Sequence, residues 1–188
     1  MTGFQQTLDQ AIASVESLRE IENTLGRVAK RCHECLHSGA KLMSCGNGVN
    51  AAQAMHLTAE LVGRYKLTRE PLAAVALGTN PVVSTCIGND FEPQEVFSRE
   101  LQAIGRQGDL LVAFSTSGSS QNVLQAFTVA RALGISSIAF LGRDGGHAKH
   151  LADESLIVKQ QDTARIQEGH QFLLHCLMDL LENSLALN

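Results

Sequence analysis

Residues 109–122 read DLLVAFSTSGSSQN, an apolar run that ends in a cluster of hydroxyl side chains around a single glycine. The run at 109–114 has the length of a strand that is buried on both faces, and the segment after residue 120 has the apolar spacing of a helix. A strand that leads through a turn into a helix is the repeating unit of a parallel α/β sheet. This stretch therefore predicts an α/β fold.

The same alternation of strands and helices extends along the chain. Further short apolar runs lie at 41–45, 72–77, 136–141 and 155–158, and helical spacing lies at about 50–65, 94–105, 120–133 and 163–186. The pattern predicts an αβα sandwich with a five-stranded parallel sheet, in the flavodoxin-like strand order. Residues 1–37 carry apolar side chains at helical spacing and predict two added N-terminal helices, or one kinked helix.

Composition is that of an ordinary globular protein. The 188 residues are 44% hydrophobic and 18% charged, and a net charge of −4 without a basic run argues against a nucleic-acid partner. We expect no signal peptide and no membrane span, because the first residues lack an apolar core and no apolar stretch is long enough. The five cysteines are odd in number, so reduced thiols in a cytoplasmic protein are expected.

The turn after the 109–114 strand has the composition of a phosphate site. A helix N-terminus offers free backbone N–H groups and the positive end of the helix dipole, which favour an anion. Gly118 lets the backbone curl close to a bound group. The alternative is that Ser119 or Ser120 only caps the helix, which explains one hydroxyl but not four. The four candidate donors are the hydroxyls of Ser115, Thr116, Ser117 and Ser120.

Two more turns are expected at the same edge of the sheet. Gly46-Asn-Gly48 follows the run at 41–45 and would line the same pocket, although such turns are common and are weak evidence by themselves. The other is a loop around Thr79–Ser84. The phosphate turn lacks the lysine of the GxxxxGK[ST] pattern, which argues against a nucleoside-triphosphate loop.

Polar side chains interrupt the apolar pattern of two predicted helices. His56 and Glu60 are four residues apart and project from one helix face, while the last helix carries Gln167 and His175. Two imidazoles, a carboxylate and an amide can surround a divalent ion, although glutamine is an unusual zinc ligand. Spacing alone leaves open the alternative that His56 caps a surface turn and His175 is a core histidine.

Cys32-His-Glu-Cys35 also has the spacing of a metal clip. It lies inside a helical pattern and has no second pair of ligands. A metal at this segment is therefore not favoured.

A series of short motifs runs in order from the N-terminal half of the chain to the last helix. They are Gly46-Asn-Gly48, Met55-His56, Glu60-Leu61, Gly63-Arg-Tyr65, Gly88-Asn-Asp-Phe91, Phe97-Ser98, Gly108-Asp109, Ser115-Thr-Ser-Gly118, Asp144-Gly-Gly146 and Ala164-Arg-Ile-Gln-Glu168. Together they resemble the sugar isomerase (SIS) domain, specifically that of the phosphoheptose isomerases.

The resemblance implies one SIS domain over residues 1–188, with the helical segment 1–37 packed on it and on neighbouring subunits of a homotetramer. It implies an aldose–ketose isomerase that interconverts sedoheptulose 7-phosphate and D-glycero-D-manno-heptose 7-phosphate through an enediol(ate), a step towards the heptose of lipopolysaccharide or surface glycans. The active sites of this family lie between subunits.

The resemblance also implies site residues. Glu60 would be the general base and His175 its acid/base partner, which suits a proton transfer between two carbons. One zinc ion per subunit would be held by His56, Glu60, Gln167 and His175. The implied substrate-binding residues are Asn47, Gly48, Val49, Asn50, Glu60, Asn89, Asp90, Ser115, Thr116, Ser117, Ser120 and Gln167.

One segment departs from the family pattern. After Asn47-Gly48 the family continues with Gly-Ser and an Asp three residues later, whereas this chain has Val49-Asn50 and Gln53. The segment resembles a sister group of SIS proteins that associate with the replication initiator DnaA and are not isomerases. That group lacks the counterparts of Glu60 and His175, so we predict an isomerase. The alternative is a non-catalytic sugar-phosphate-binding protein or a DnaA-associating regulator.

Overall fold

Five parallel strands form the centre of the protein in a computed structural model that describes residues 2–185. The strands are β1 (Leu42–Gly46), β2 (Ala74–Ala76), β3 (Leu110–Ser115), β4 (Ser136–Gly142) and β5 (Glu154–Val158). Their order across the sheet is β2-β1-β3-β4-β5, which confirms the predicted flavodoxin-like order. All four neighbouring pairs are parallel, with Leu42 opposite Leu110 and Phe114 opposite Phe140.

Helices cover both faces of the sheet. They are α1 (Gly3–Ser17), α2 (Glu22–His37), α3 (Val49–Val62), α4 (Pro81–Asp90), α5 (Val96–Ile104), α6 (Gln121–Ala132) and α7 (Thr163–Leu185), with a 3-10 turn at Leu18–Ile21 between the first two. The N-terminal segment is thus two helices joined by a tighter turn. The predicted end of the last helix at residue 186 lies outside the described residues.

The side chains of β3 alternate between two hydrophobic cores. Leu110, Val112 and Phe114 pack in the core beneath α2, α3 and α7, and Leu111 and Ala113 pack in the core beneath α5 and α6. Every residue of β3 is buried, which explains why its sequence is continuously apolar and not alternating. The sheet is therefore covered on both sides, as an αβα sandwich requires.

The segment predicted as a loop around Thr79–Ser84 is partly helical. Asn80 caps α4 by accepting hydrogen bonds from the N–H groups of Val82 and Val83, and Pro81 occupies the first turn. The sequence pattern missed this helix because PVVSTCIGND combines β-branched residues with a weak apolar face, which lowers helix propensity.

All five cysteines have free thiols. Cys32 and Cys35 lie in the core between α2 and the sheet, and burial raises their pKa to about 12 and about 11. Among the described residues, no helix has the length and apolar character needed to cross a membrane.

Candidate active site

Two turns lie side by side at the carboxyl edge of the sheet. One joins β1 to α3 and the other joins β3 to α6, and β1 and β3 are neighbours. The side-chain amides of Asn47 and Asn122 exchange two hydrogen bonds of 2.9 and 2.8 Å and so tie the turns together. The structure therefore brings both predicted turns to one place.

The second of these turns, residues 115–120, keeps hydroxyls available for a ligand. Ser115 accepts a hydrogen bond from the N–H of Gly118, and Ser117 accepts one from the N–H of Ser119, which shapes the turn. Ser120 is the N-cap residue of α6, yet its side chain makes no capping hydrogen bond. Within residues 2–185 the hydroxyls of Thr116 and Ser120 have no hydrogen-bond partner. Helix capping therefore does not explain the hydroxyl cluster.

Gly118 is required by a close approach between two loops. Its φ is +61°, and a Cβ there would lie 2.1 Å from the carbonyl oxygen of Gly145. The reverse contact is equally tight, since a Cβ on Gly146 would lie 2.4 Å from the carbonyl oxygen of Ser117. The Asp144-Gly-Gly146 turn thus supports the 115–120 turn from behind.

The first two residues of α3 differ in their exposure to solvent. Val49 is exposed, whereas Asn50 is buried and its side-chain oxygen has no hydrogen-bond partner among the described residues. Gln53, one turn further, donates its side-chain amide to the backbone carbonyl of Gln167 on α7. Gln53, one of the residues that depart from the family pattern, therefore connects α3 to α7.

His56, Glu60 and His175 converge between α3 and α7. His56 Nε2 lies 2.8 Å from Glu60 Oε1, and the two imidazole rings are 5.2 Å apart between centroids. One potential ligand atom from each of the three residues lies within 4.8 Å of the others, and all three side chains are half-buried. This is the only group of three or more such side chains suited to a metal ion in the part of the chain that the structure describes. His56 thus lies inside α3 and does not cap a surface turn, and His175 is half-buried and not in the core.

Gln171 is a member of this cluster that the sequence analysis missed. Its Nε2 lies 3.1 Å from His56 Nδ1 and 3.0 Å from His175 Nε2. If the amide donates to both rings, His56 carries its own proton on Nε2 and donates it to Glu60. The signal was its spacing, since Gln171 lies four residues before His175 on the same helix face.

A buried ion pair supports the end of α3 that carries Glu60. Arg69 donates to the backbone carbonyls of Glu60, at 2.6 Å, and Leu61, at 2.9 Å. Glu182 accepts hydrogen bonds from Arg69 and from the backbone N–H groups of residues 65–67. Burial acts to raise the pKa of Glu182, but these hydrogen bonds outweigh it and hold the pKa below its ordinary value.

Tyr65 connects the same segment to His175. The two rings stack with centroids 5.8 Å apart, and the phenol donates to Asp179 at 3.4 Å. The orientation of His175 is thus limited on one side by Tyr65 and on another by the amide of Gln171.

The remaining predicted residues lie apart from this cluster. Asn89 and Asp90 are exposed at the end of α4, and within residues 2–185 no hydrogen bond links them to either turn. The side chain of Gln167 likewise has no hydrogen bond to His56, Glu60 or His175 among those residues.

The two halves of the predicted site are also far apart in one chain. The turn at residues 46–48 lies at the start of α3, beside the 115–120 turn, and Glu60 lies twelve residues after Gly48, about 18 Å along the helix axis. A heptose phosphate spans roughly 9 Å between C2 and phosphorus at ordinary bond lengths. The separation along α3 is therefore about twice the length of the substrate that the resemblance implies.

Comparison with known proteins gives the fold and the family. The SIS domain model matches residues 6–142. A phosphoheptose isomerase of Helicobacter pylori strain P12 is 43% identical over 171 residues, which are 91% of this chain and 89% of that protein. A phosphoheptose isomerase of Geotalea daltonii is 45% identical over 167 residues, 89% of this chain and 87% of that protein. The structure of a phosphoheptose isomerase from Neisseria gonorrhoeae superposes with a TM-score of 0.91 at 36% identity, covering 96% of this chain and 97% of that one.

Proposed function

Because the chain belongs to the phosphoheptose isomerases, a family of SIS-domain enzymes, we propose that it interconverts sedoheptulose 7-phosphate and D-glycero-D-manno-heptose 7-phosphate. The observation that carries this proposal is the convergence of His56, Glu60 and His175 between α3 and α7. We also propose that the product is a precursor of heptose-containing surface glycans such as lipopolysaccharide.

Glu60 is the proposed general base. Ketose–aldose isomerisation moves a proton between C2 and C1 through an enediol(ate), and one carboxylate that faces both carbons can remove and return it. His56 donates to Glu60 at 2.8 Å and Arg69 holds the carbonyl of the same residue, so the carboxylate has a supported position. His175, stacked on Tyr65, is the proposed acid/base partner that moves protons between the substrate oxygens.

A zinc ion fits the same cluster. Two imidazoles and a carboxylate are ordinary zinc ligands, and their ligand atoms lie within 4.8 Å of one another. We propose one zinc per subunit, held by His56, Glu60, Gln167 and His175, the ligand set that the family resemblance implies. A bound divalent ion supplies Lewis-acid stabilisation of negative charge on the substrate oxygens.

The phosphate of the substrate is assigned to the paired turns at the carboxyl edge of the sheet. The α6 N-terminus supplies backbone N–H groups, and Thr116 and Ser120 supply hydroxyls without other partners among the described residues. Asn47 lies against the same helix through its amide pair with Asn122. The other proposed contacts to substrate are Gly48, Val49, Asn50, Ser115, Ser117, Asn89, Asp90 and Gln167.

The distance between these turns and Glu60 supports a site shared between subunits. We propose a homotetramer in which the phosphate turns of one subunit face the Glu60 cluster of a neighbour. Apolar side chains on the surface of α1 and α7 support such an assembly: Phe4, Leu8, Ile12, Phe172 and Leu180 are each at least 40% exposed. The SIS domain is proposed to extend over residues 1–188, since α2 and α7 share one core with the sheet.

The non-catalytic alternative is not favoured. Relatives 42–46% identical over most of the chain are phosphoheptose isomerases, and the chain has both Glu60 and His175. We also propose a cytoplasmic location, which the five free thiols support.

The test is the exchange of solvent deuterium into the sugar. Glu60→Gln is expected to reduce turnover of sedoheptulose 7-phosphate by at least about 100-fold, because the amide cannot accept the carbon-bound proton. NMR in D2O measures both product and deuterium at C2. Glu70→Gln, an exposed carboxylate beyond the end of α3, is the matched control and should keep wild-type exchange. Substantial exchange in Glu60→Gln would exclude Glu60 as the base.

A further inference from the structure

Two histidines lie one helical turn apart at the end of α2. His33 and His37 are four residues apart, and their rings stack with centroids 5.6 Å apart and planes inclined by 13°. His33 is half-buried and His37 is exposed. Because residues at this spacing project from one helix face, both imidazoles share one part of the α2 surface.

The other side chains of the same segment face elsewhere. Cys32 and Cys35 are buried in the core beneath α2, and burial raises their pKa to about 12 and about 11, so neither thiolate is available to a metal ion. Glu34 is exposed, and its carboxylate lies 3.7 Å from the ammonium group of Lys30. The helix therefore separates the thiols from the imidazoles by face.

The end of α7 fixes the protonation of one of the two rings. Ser184 Oγ lies 3.2 Å from His33 Nδ1, and it donates its own proton to the backbone carbonyl of Leu181 at 2.8 Å. Since a hydroxyl has a single proton to donate, Nδ1 of His33 carries a proton and donates it to Ser184. The neutral ring then has its lone pair on Nε2. Metal-binding histidines are commonly oriented by such a contact to the other ring nitrogen.

The separation of the two rings suits a shared ion. Imidazole nitrogens bind zinc at about 2.0–2.1 Å, which places each ring centre about 3.2 Å from the ion and the two ring centres of a tetrahedral site about 5.2 Å apart. The observed separation is 5.6 Å, so a rotation of the exposed His37 side chain is enough to bring a nitrogen of each ring to one ion. The rings of His56 and His175 are 5.2 Å apart by the same measure.

The position on the helix favours a cation. α2 ends at His37, and the carbonyl end of a helix carries partial negative charge. Within residues 2–185, no third His, Cys, Asp or Glu joins the two rings in a metal-binding group. The H-E-x-x-H spacing of residues 33–37 therefore supplies two protein ligands, and the three-ligand centre of a zinc protease is not formed.

We propose that His33 and His37 form a second metal-binding site, which takes a divalent transition-metal ion that prefers imidazole ligands. Copper(II) is expected to bind most tightly and nickel(II) next, because divalent ions follow that order of affinity at nitrogen ligands. Ser184 lies nine residues after His175 on α7, about 14 Å along the axis, so this site is separate from the cluster at His56. The proposal does not depend on the isomerase activity or on its zinc ion.

The experiment titrates the untagged full-length protein with copper(II) and measures the heat of binding. His37→Gln should weaken binding at this site at least about 10-fold, because the second imidazole no longer adds an intramolecular contact. Ser184→Ala should weaken it about 10-fold, since it removes the contact that orients a ligating histidine. His150→Gln, the same change at another exposed histidine, is the matched control and should bind copper as the wild type does.

Two further measurements assign the binding events. Titration of His56→Gln identifies the event that belongs to the other cluster. The electron paramagnetic resonance spectrum of the copper-loaded protein should show hyperfine coupling to one nitrogen fewer in His37→Gln than in the wild type. Thermal unfolding of the metal-free variants checks the fold, and His37→Gln should keep the isomerase activity of the wild type.

Three results would overturn the proposal. His37→Gln could bind copper as tightly as the wild type, with the same spectrum. His150→Gln could lose as much affinity as His37→Gln, which would make copper binding a general property of exposed histidines. Ser184→Ala could leave the affinity unchanged, which would show that α7 does not orient His33 and that the site is not built as described.

Discussion

Mixing two inactive variants should restore isomerase activity if the site is shared between subunits. The first variant is Glu60→Gln, which removes the base but leaves the phosphate turns intact. The second is Ser120→Asp, which places a negative charge at the α6 N-terminus, where the substrate phosphate is expected. Aspartate is a good N-cap residue, so the second change should repel phosphate without unfolding the helix.

The magnitude follows from the separation of the two halves. Glu60 lies about 18 Å along α3 from Gly48, so the proposed site combines the turns of one subunit with the cluster of another. In a randomly mixed oligomer, half of the turns and half of the clusters are intact, so about a quarter of the sites combine both. Activity near one quarter of wild type is therefore expected, from two parents that have almost none.

The assay unfolds the variants together in denaturant, refolds them by dilution and measures product by NMR. Each variant refolded alone gives the background, and Glu70→Gln, a change at an exposed carboxylate, is the control that should keep activity after the same refolding. Mass spectrometry checks that mixed oligomers have formed. If they have and activity does not rise on mixing, the shared site is refuted and both halves of each site must come from one chain.

Two further predictions concern stability. His170 is fully buried between Phe114 and Phe140, and within residues 2–185 its ring nitrogens have no hydrogen-bond partner of normal geometry. Burial lowers its pKa to about 4, opposed only in part by the backbone of Leu141. Because the unfolded chain binds this proton at a higher pH than the native state does, the free energy of unfolding should fall by about 3 kcal/mol between pH 6.5 and 4. In urea unfolding, His170→Leu should lack that part of the loss. Parallel pH curves for the two proteins would contradict this prediction. Glu182→Gln weakens two of the four hydrogen bonds to a buried carboxylate, which should reduce the stability by about 3 kcal/mol. That loss corresponds to a fall in Tm of about 6–12 °C at pH 7. Since the folded pKa of Glu182 is lowered, the wild type should be the more stable protein above the ordinary carboxyl pKa, and this difference in stability should vanish as the pH falls through the folded pKa. A difference in Tm that does not depend on pH would assign the effect to the packing of the side chain and not to its charge.

The sequence predicted the strands of the sheet well but did not predict every helix beside them. The strands were predictable because a strand buried on both faces must be apolar at every position, as β3 is, and few other structures have that pattern. The helix α4 was missed because its β-branched segment has weak helical preference, and it forms where Asn80 and Pro81 start it. Local signals are decisive only where several of them agree.

For the site, the sequence by itself determined which chemical groups are available. The spacing of His56 and Glu60 places them on one helix face, and the hydroxyls of residues 115–120 follow a strand whose end must open at the carboxyl edge. These relations depend only on the geometry of one helix or one turn. They hold before any tertiary contact is known.

Only the tertiary structure decided which of these groups meet. The packing of α7 on α3 brings His175 and Gln171 to His56, and it leaves the side chain of Gln167 without a hydrogen bond to them. The length of α3 separates Glu60 from the phosphate turns. Contacts between elements distant in sequence depend on the rotation and register of whole helices, which are set by the summed packing of the core and are not encoded in the spacing of any one motif.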